Sequence, residues 1–412
     1  MSCWWRLVLL VVLVAGSGAM MHQALTGHQV WEVDESGRVL TTRLLEEGLL
    51  DVLDHSRPSR TVRVSPHAVH QVKTALQEAA IPYRVLIYDL ATYIKEANKG
   101  GREPRSPVDT CTATTCPAPL KTHYMTLSQM EWYLKEMNRT FPSRISVSSI
   151  GKSVEGRDIW LAYLPAANSS GRAIWVEAGL HAREWISPAV ALHLIDRTIH
   201  NRSAMANMDI LVVPMANPDG YVYTWTTDRF WRKNRRINAG TTCAGVDLNR
   251  NWDYHFGVGA STNPCSNVYK GPSAFSEPET QVLRNAMLKR KDNLKLILSL
   301  HSFGQKLLYP WGWSSSVKAP DTPQLVALGQ VFAQAIKNAT GTEYNVKNSA
   351  GGLYLASGAT DDWATAVLKT KYAYTLELRD LGQQGFLLDQ RNILPCSEEV
   401  WHGLTEVIKH IK

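Results

Sequence analysis

From residue 122 onward the chain alternates apolar runs of strand length with amphipathic helical stretches, and this alternation limits the fold more than any other feature. The runs 173–180, 209–214, 294–300 and 372–376 are almost unbroken by charge. A strand without polar alternation is covered on both faces. The pattern therefore predicts an α/β domain built on a mixed, mostly parallel, twisted sheet with helices on both sides. In such sheets chemistry belongs outside the carboxyl ends of the strands. With 44% hydrophobic residues the chain can bury a sizeable core, which excludes a disordered chain.

Ahead of this region, residues 20–98 read as a smaller α/β unit of their own. Strand-like stretches at 29–33, 61–64 and 83–87 are separated by helical patterns at 44–53 and 67–79. Residues 1–19 carry Arg6, an apolar run over 7–15 and then Gly16, Ser17, Gly18 and Ala19, the layout of a cleavable secretory signal. The apolar run is shorter than the roughly 20 residues that span a bilayer, so export is expected and a membrane anchor is not. Between the two units, residues 99–107 are punctuated by Gly and Pro and contain Arg102 and Arg105, which are candidate sites for a trypsin-like activating protease.

The formal charge of +7 comes from scattered Lys and Arg with no basic run, so nucleic acid is not an expected partner. Removing Cys3 with the signal leaves Cys111, Cys116, Cys243, Cys265 and Cys396, an odd number for an oxidising compartment. Cys243 and Cys265 flank a polar loop and form the best pair, worth about 3 kcal/mol through loop closure. Cys111 with Cys116 would then leave Cys396 free. Sequons at Asn138, Asn168, Asn201 and Asn338 are compatible with a glycosylated surface.

Three of the apolar runs deliver metal-ligating side chains. His181 and Glu184 lie three positions apart just after the first run, the run 294–300 ends on His301, and the run 372–376 ends on Glu377. A His, Glu, His set suits zinc and leaves a fourth position open, with Glu377 as a second carboxylate for use as a base. Singly, each residue reads as a structural strand-end residue; their convergence gives the metal reading its force.

The segments His-Ala-Arg-Glu-Trp (181–185), Arg-Phe-Trp-Arg-Lys-Asn-Arg (229–235), Asp-Leu-Asn-Arg-Asn-Trp (247–252), Leu-His-Ser-Phe-Gly-Gln (300–305), the loop 354–363 and Leu-Glu-Leu-Arg-Asp (376–380) resemble, in order and spacing, the zinc metallocarboxypeptidases of the pancreatic A/B type. The resemblance covers nearly the whole chain. It implies a signal at 1–19, an open-sandwich activation propeptide at 20–105, a linker at 106–121 and a catalytic domain at 122–412.

It further implies that His181, Glu184 and His301 hold one zinc ion, that Asp247 orients His181, and that Glu377 takes a proton from the attacking water and passes it to the leaving amine. Arg232 matches the residue that polarises the scissile carbonyl; without the resemblance its basic cluster reads as a solvated face. Asn249 and Arg250 match the pair that grips a substrate α-carboxylate, Tyr354 the tyrosine that closes over it, and Arg183, Phe303 and Phe386 further subsite residues. The partners implied are peptide and protein C-termini, with the chain a monomer.

Seven residues after Tyr354, where A-like members carry an apolar residue and B-like members an Asp, stands Asp361. That predicts removal of C-terminal Lys and Arg. The adjacent Asp362 is common to both subtypes. Phe303 departs from the family's frequent Tyr, and Gly312 and Ser349 give the pocket its own combination, so a mixed or apolar preference is the second reading. An inactive zinc-binding homologue is the alternative from another class, but it would be expected to have lost Glu377 or Arg232. A deacylase or an endopeptidase has no use for Asn249, Arg250 and Tyr354 together.

Overall fold

The apolar runs become the inner strands of one sheet. The computed structural model describes residues 25–54, 59–93, 119–205 and 208–411; the signal, Arg102, Arg105, Cys111 and Cys116 lie outside them. The N-terminal unit runs β1 (Gln29–Val33), α1 (Arg38–Glu46), β2 (Leu50–Asp54), β3 (Arg60–Val64), α2 (Val69–Glu78) and β4 (Tyr83–Ile87). Its four strands pair antiparallel in the order β2-β3-β1-β4. Leu44 and Leu45 of α1 and Val72 and Leu76 of α2 pack with Trp31, Val33, Val62 and Val64 of the sheet.

The sequence pattern placed a helix over 44–53, and the structure corrects this. The helix ends at Glu46, and residues from Leu50 onward form strand β2. Leu44, Leu45, Leu49, Leu50 and Leu53 mimic helical spacing, but Gly48 stands at φ +76°, where the chain leaves the helix. A Cβ at Gly48 would also lie 2.9 Å from the carbonyl carbon of Cys265, so the turn sits directly against the larger unit.

The larger unit contains β5 (Ser146–Lys152), β6 (Asp158–Leu164), β7 (Arg172–Ala178), β8 (Met208–Val213), β9 (Leu294–Ser302), β10 (Lys306–Tyr309), β11 (Asn345–Asn348) and β12 (Tyr372–Leu378). They form one eight-stranded sheet in the order β11-β10-β12-β9-β7-β8-β6-β5. The central strands β12, β9, β7 and β8 are mutually parallel, and antiparallel pairs lie toward the edges.

One apolar strand serves two cores, with a register shift between Leu294 and Leu296 that puts these two residues on opposite faces. Leu296, Leu298 and Leu300 face a cluster built from helices α3 (Leu127–Thr140), α4 (Ile186–His200), α5 (Thr322–Thr340) and α6 (Ile393–Ile408). Leu294 and Ile297 face the opposite cluster with Leu248, Trp252, Leu283 and Trp363. Helix α3 starts where Thr126 and Gln129 cap each other, with Thr126 N donating to Gln129 Oε1 at 2.7 Å.

The two units meet over a broad seam. At the end of α1, where helical carbonyls lack partners, Leu45 O accepts from Ser266 Oγ (2.6 Å), Glu46 O from Ser261 Oγ (2.5 Å) and Glu47 O from Asn263 Nδ2 (2.7 Å). Val268 of the larger unit completes the smaller unit's core. Cys243 and Cys265 are bonded, closing the loop that carries 247–252, and Cys396 is free and buried.

Candidate active site

Parallel pairing in the centre of the sheet assembles the cluster that the sequence scattered. β9 and β12 are neighbours with His301 opposite Glu377, and the segment after β7 brings His181 and Glu184 alongside. His301 and Glu377 are the penultimate residues of their strands, where the apolar runs suggested positions just after them.

His181 Nδ1 lies 2.8 Å from Glu184 Oε1 and 3.0 Å from His301 Nδ1, and His301 Nδ1 lies 3.0 Å from Glu184 Oε2. All three side chains are buried, and one donor atom from each falls within 4.8 Å of the others. Two imidazole nitrogens facing each other at this distance can share only one proton, so the arrangement is matched to a cation between them. The outward nitrogens are tied. His181 Nε2 faces Asp247 Oδ1 at 3.1 Å, while His301 Nε2 faces Ser299 Oγ at 3.1 Å, which itself donates to Glu177 Oε1. Holding each far nitrogen fixes which one points inward. The nitrogen and carboxylate donors, closed off from water, fit zinc.

Asp247 does more than orient His181. Its Oδ2 accepts from Arg232 Nε (3.1 Å) and Nη2 (2.9 Å), so one carboxylate fixes both a cluster imidazole and the guanidinium beside it. Burial alone would raise the Asp247 pKa, but Arg232, Arg250 and His181 outweigh it and hold the group well below the usual carboxylate range. Among the described residues Glu377 has no such fixed donor. Burial, helped by Glu184, pushes it up to about 7.

Around this centre the cleft is lined by Arg183, Asn249, Arg250, Phe303, Tyr354, Asp361 and Phe386. The three-residue turn at 248–250 places Asn249 and Arg250 side by side, with Asn249 N donating to Asp247 Oδ1 at 2.9 Å. Arg250 Nη2 donates to Tyr354 Oη at 3.2 Å. Phe303 and Phe386 pack edge to face at 5.0 Å between centroids.

The neighbouring acids Asp361 and Asp362 are separated by their partners. Both oxygens of Asp362 are taken by backbone N–H groups, from Gly312 at 2.8 and 3.0 Å and from Trp313 at 3.1 Å. Gly312 is needed for a different approach, that of the loop at Ala356, whose carbonyl oxygen would lie 2.5 Å from a Cβ at this position. Asp361 accepts from Ser349 Oγ (3.2 Å) and from the N–H of Asp362 (2.9 Å), with the Thr375 hydroxyl also favouring its charged form, and it lines the cleft. Burial raises its pKa.

Sequence reading expected the N-terminal unit to cover this cleft but named none of the residues that do so. Leu45, Asp51, Val52 and Leu53 of the N-terminal unit line it together with the cluster, leaving a cavity of about 90 Å³. Asp51 is ion-paired with Arg183, and Arg63, 3.8 Å from Asp51, reaches across to Asp228 at 3.1 Å. Phe230 and Phe386 pack with Leu25, Val30, Leu90 and Ala91. Nothing local in the stretch 50–54 signals these contacts, because their partners lie over a hundred residues away. Ser299 could have been found, since it lies two residues before His301 on the same face of one strand.

Comparison with known proteins identifies the family. The zinc carboxypeptidase family model matches residues 130–403, and the carboxypeptidase activation peptide model matches 39–97. Carboxypeptidase B of Astacus astacus is 37% identical over 297 residues, covering 71% of this chain and 98% of that protein. Carboxypeptidase A1 of Mus musculus is 34% identical over 421 residues, covering 98% of each. The crystal structure of carboxypeptidase A from Helicoverpa armigera superposes with a TM-score of 0.82 at 28% identity, over 94% of this chain and 97% of that one.

Proposed function

This chain belongs to the zinc carboxypeptidase family and carries an activation peptide, and from that premise we propose that it is a secreted proenzyme which, once cut, removes Lys or Arg from peptide C-termini. The observation that carries the basic preference is Asp361, buried and lining the cleft with acceptor capacity left over, while Asp362 is turned to the backbone N–H groups of Gly312 and Trp313 away from the cleft lining. A carboxylate offers about four acceptor sites, so a guanidinium or ammonium entering the pocket finds unused ones.

His181, Glu184 and His301 would hold the metal, and zinc, when bound, supplies the Lewis acidity that makes water nucleophilic near neutral pH. Asn249 and Arg250 bind the terminal carboxylate, with Tyr354 donating from above. This clamp requires a free C-terminus and so makes the enzyme an exopeptidase. It also fixes the scissile carbonyl between Arg232 and Glu377. Arg232, held in place by Asp247, meets negative charge as it develops on the carbonyl oxygen, which lowers the barrier without reorganisation. Glu377 accepts the proton of the attacking water and then delivers it to the leaving nitrogen. Its raised pKa suits both halves of that task.

In the uncut chain Asp51 occupies Arg183, and the strand Leu50–Asp54 lies along the cleft, which supports silencing by steric exclusion. Cleavage near Arg102 or Arg105 by a trypsin-like protease would release the unit comprising residues 20–105, leaving 106–121 ahead of the catalytic domain at 122–412. Residues 1–19 act as the export signal. The test is release of the terminal residue from matched peptides ending in Arg, Lys, Leu or Phe, before and after trypsin, with and without a zinc chelator. Chelator-sensitive release of Arg and Lys only after cutting is expected. Equal rates for Arg and Phe overturn the assignment of Asp361, and full activity before cutting overturns the zymogen.

A further inference from the structure

Lys306 is a buried cation that the reaction as described does not use. It opens β10 and stands in register opposite Glu377 on β12, yet it is only 8% exposed. Among the described residues no carboxylate lies within ion-pair distance of it. The charges that bear on it are Glu377 from β12, Asp54 from β2, Lys347 from β11 and Arg38 from α1. Its ammonium donates to the carbonyl oxygen of Gly352 at 3.2 Å. Burying an ammonium is costly unless it gains partners, so a lysine kept here points to a use for that single directed bond.

Gly352 lies two residues before Tyr354, on the loop that closes the substrate clamp. The rest of the loop is pinned on either side. Ala350 N and Asn348 Nδ2 donate to Trp311 O at 3.2 and 3.1 Å, and Ala356 N donates to Gly312 O at 2.8 Å. Between these pins Asn348 Oδ1 accepts from Gly351 N at 2.9 Å, and one residue nearer to Tyr354 Lys306 holds the carbonyl of Gly352; the Tyr354 hydroxyl accepts from Arg250 at 3.2 Å. Gly352 also lets the loop lie close against β11, since a Cβ there would lie 2.8 Å from the Cβ of Lys347. We propose that Lys306 is a positioning residue that anchors the Tyr354 loop through the Gly352 carbonyl and so holds the tyrosine over Arg250 before the peptide C-terminus arrives. The proposal rests on the clamp reading of Arg250 and Tyr354 given above.

The test uses the full chain, purified as proenzyme and then activated, with Lys306→Met, Lys306→Arg, Tyr354→Phe and the double variant Lys306→Met with Tyr354→Phe. Lys306→Met is expected to raise KM for a peptide with a free C-terminus by about tenfold, the worth of one charged hydrogen bond. It should leave kcat within about twofold, because the loop acts on binding. Lys306→Arg restores most of the loss. In the Tyr354→Phe background Lys306→Met should add little, and backbone amides of 350–356 should exchange faster in Lys306→Met than in the parent. If Lys306→Met does not fold, Lys306→Gln, which is too short to reach Gly352, takes its place.

An equal KM effect with and without the tyrosine hydroxyl, or a loss confined to kcat with a displaced pH profile, overturns the proposal. The second of these would place the action of Lys306 on Glu377. If Tyr354→Phe alone leaves KM unchanged, the clamp reading itself fails, a result distinguishable from the failure of Lys306 to couple to it.

Discussion

Replacing Asp361 with Val should invert the preference of the activated enzyme. The carboxylate is 2% exposed, and Leu308, Leu353, Ala356 and Ala359, which also line the cleft, provide no other charge to meet a basic side chain. A guanidinium that reaches Asp361 forms a desolvated pair. Truncating one partner of such a pair costs about 2–5 kcal/mol. At about 1.4 kcal/mol per decade, that is a fall in kcat/KM for Arg-ending peptides of roughly 30-fold to several thousand-fold. For Phe-ending peptides the sign reverses, because the wild-type pocket must bury a carboxylate against an apolar ring with no compensating bond, at about 1–3 kcal/mol. Removing it should raise kcat/KM for Phe by about fivefold or more.

The same carboxyl gives a dependence on pH in the wild type. Burial raises its pKa, so the charged form gains as pH rises above the ordinary carboxylate range, and the ratio of Arg to Phe hydrolysis should climb with it. Initial rates on paired peptides differing only in the last residue, measured from pH 5 to 8, give both numbers. An Arg-to-Phe ratio that moves less than about twofold in Asp361→Val would refute the reasoning and leave the pocket governed by its apolar walls.

Two further outcomes follow from the seam between the units. Asp51→Asn leaves Arg183 buried without its charge partner, which costs about 3–5 kcal/mol, so uncut Asp51→Asn should hydrolyse small peptides at a rate at least tenfold above the uncut parent; an uncut variant as silent as the parent removes Asp51 from the lock. His28, at the seam near Arg63, Asp228, His67 and Asp51, is drawn down to about 4, first by burial and then by Arg63. Its docked state therefore prefers the neutral ring, so docking is at full strength above about pH 6.5 and weakens as pH falls toward 4. Trypsin activation of the proenzyme should accelerate relative to a small-substrate control between pH 7 and 5, and a His28→Gln chain with the same acceleration would assign it to another group.

Much of the site could be read before the fold was known, because its parts are local. His181 and Glu184 share one turn and gain force beside the other two strand ends, while Asn249 and Arg250 are picked out by the family resemblance. His301 and Glu377 were legible one step further out, each ending an apolar run. That they would be direct neighbours depended on the strand order β12-β9-β7, which no single run encodes. The dual use of Asp247 was hidden for a similar reason. A carboxylate near a histidine ligand suggests one bond, and the second goes to Arg232, fifteen residues earlier, whose surroundings read as a basic surface. The helix over 44–53 failed because leucines at helical spacing continue across a glycine whose conformation ends the helix, and β2 takes its place through pairing with β3 and contact with the cleft. Lys306 gave no signal, since a lysine opening an apolar strand usually faces water.

The three carbonyls at the end of α1 are satisfied by Ser261, Asn263 and Ser266, side chains that belong to the other unit. Once the linker is cut and the smaller unit leaves, that helix terminus must trade three well-placed donors for water, and its core loses Val268 as well. The freed fragment is thus a less complete fold than the same residues in the proenzyme and a better substrate for the protease that released it. Under the proposed cleavage, activation would behave as a ratchet: the inhibitor is held in shape by the enzyme it restrains, and departure would degrade its ability to return.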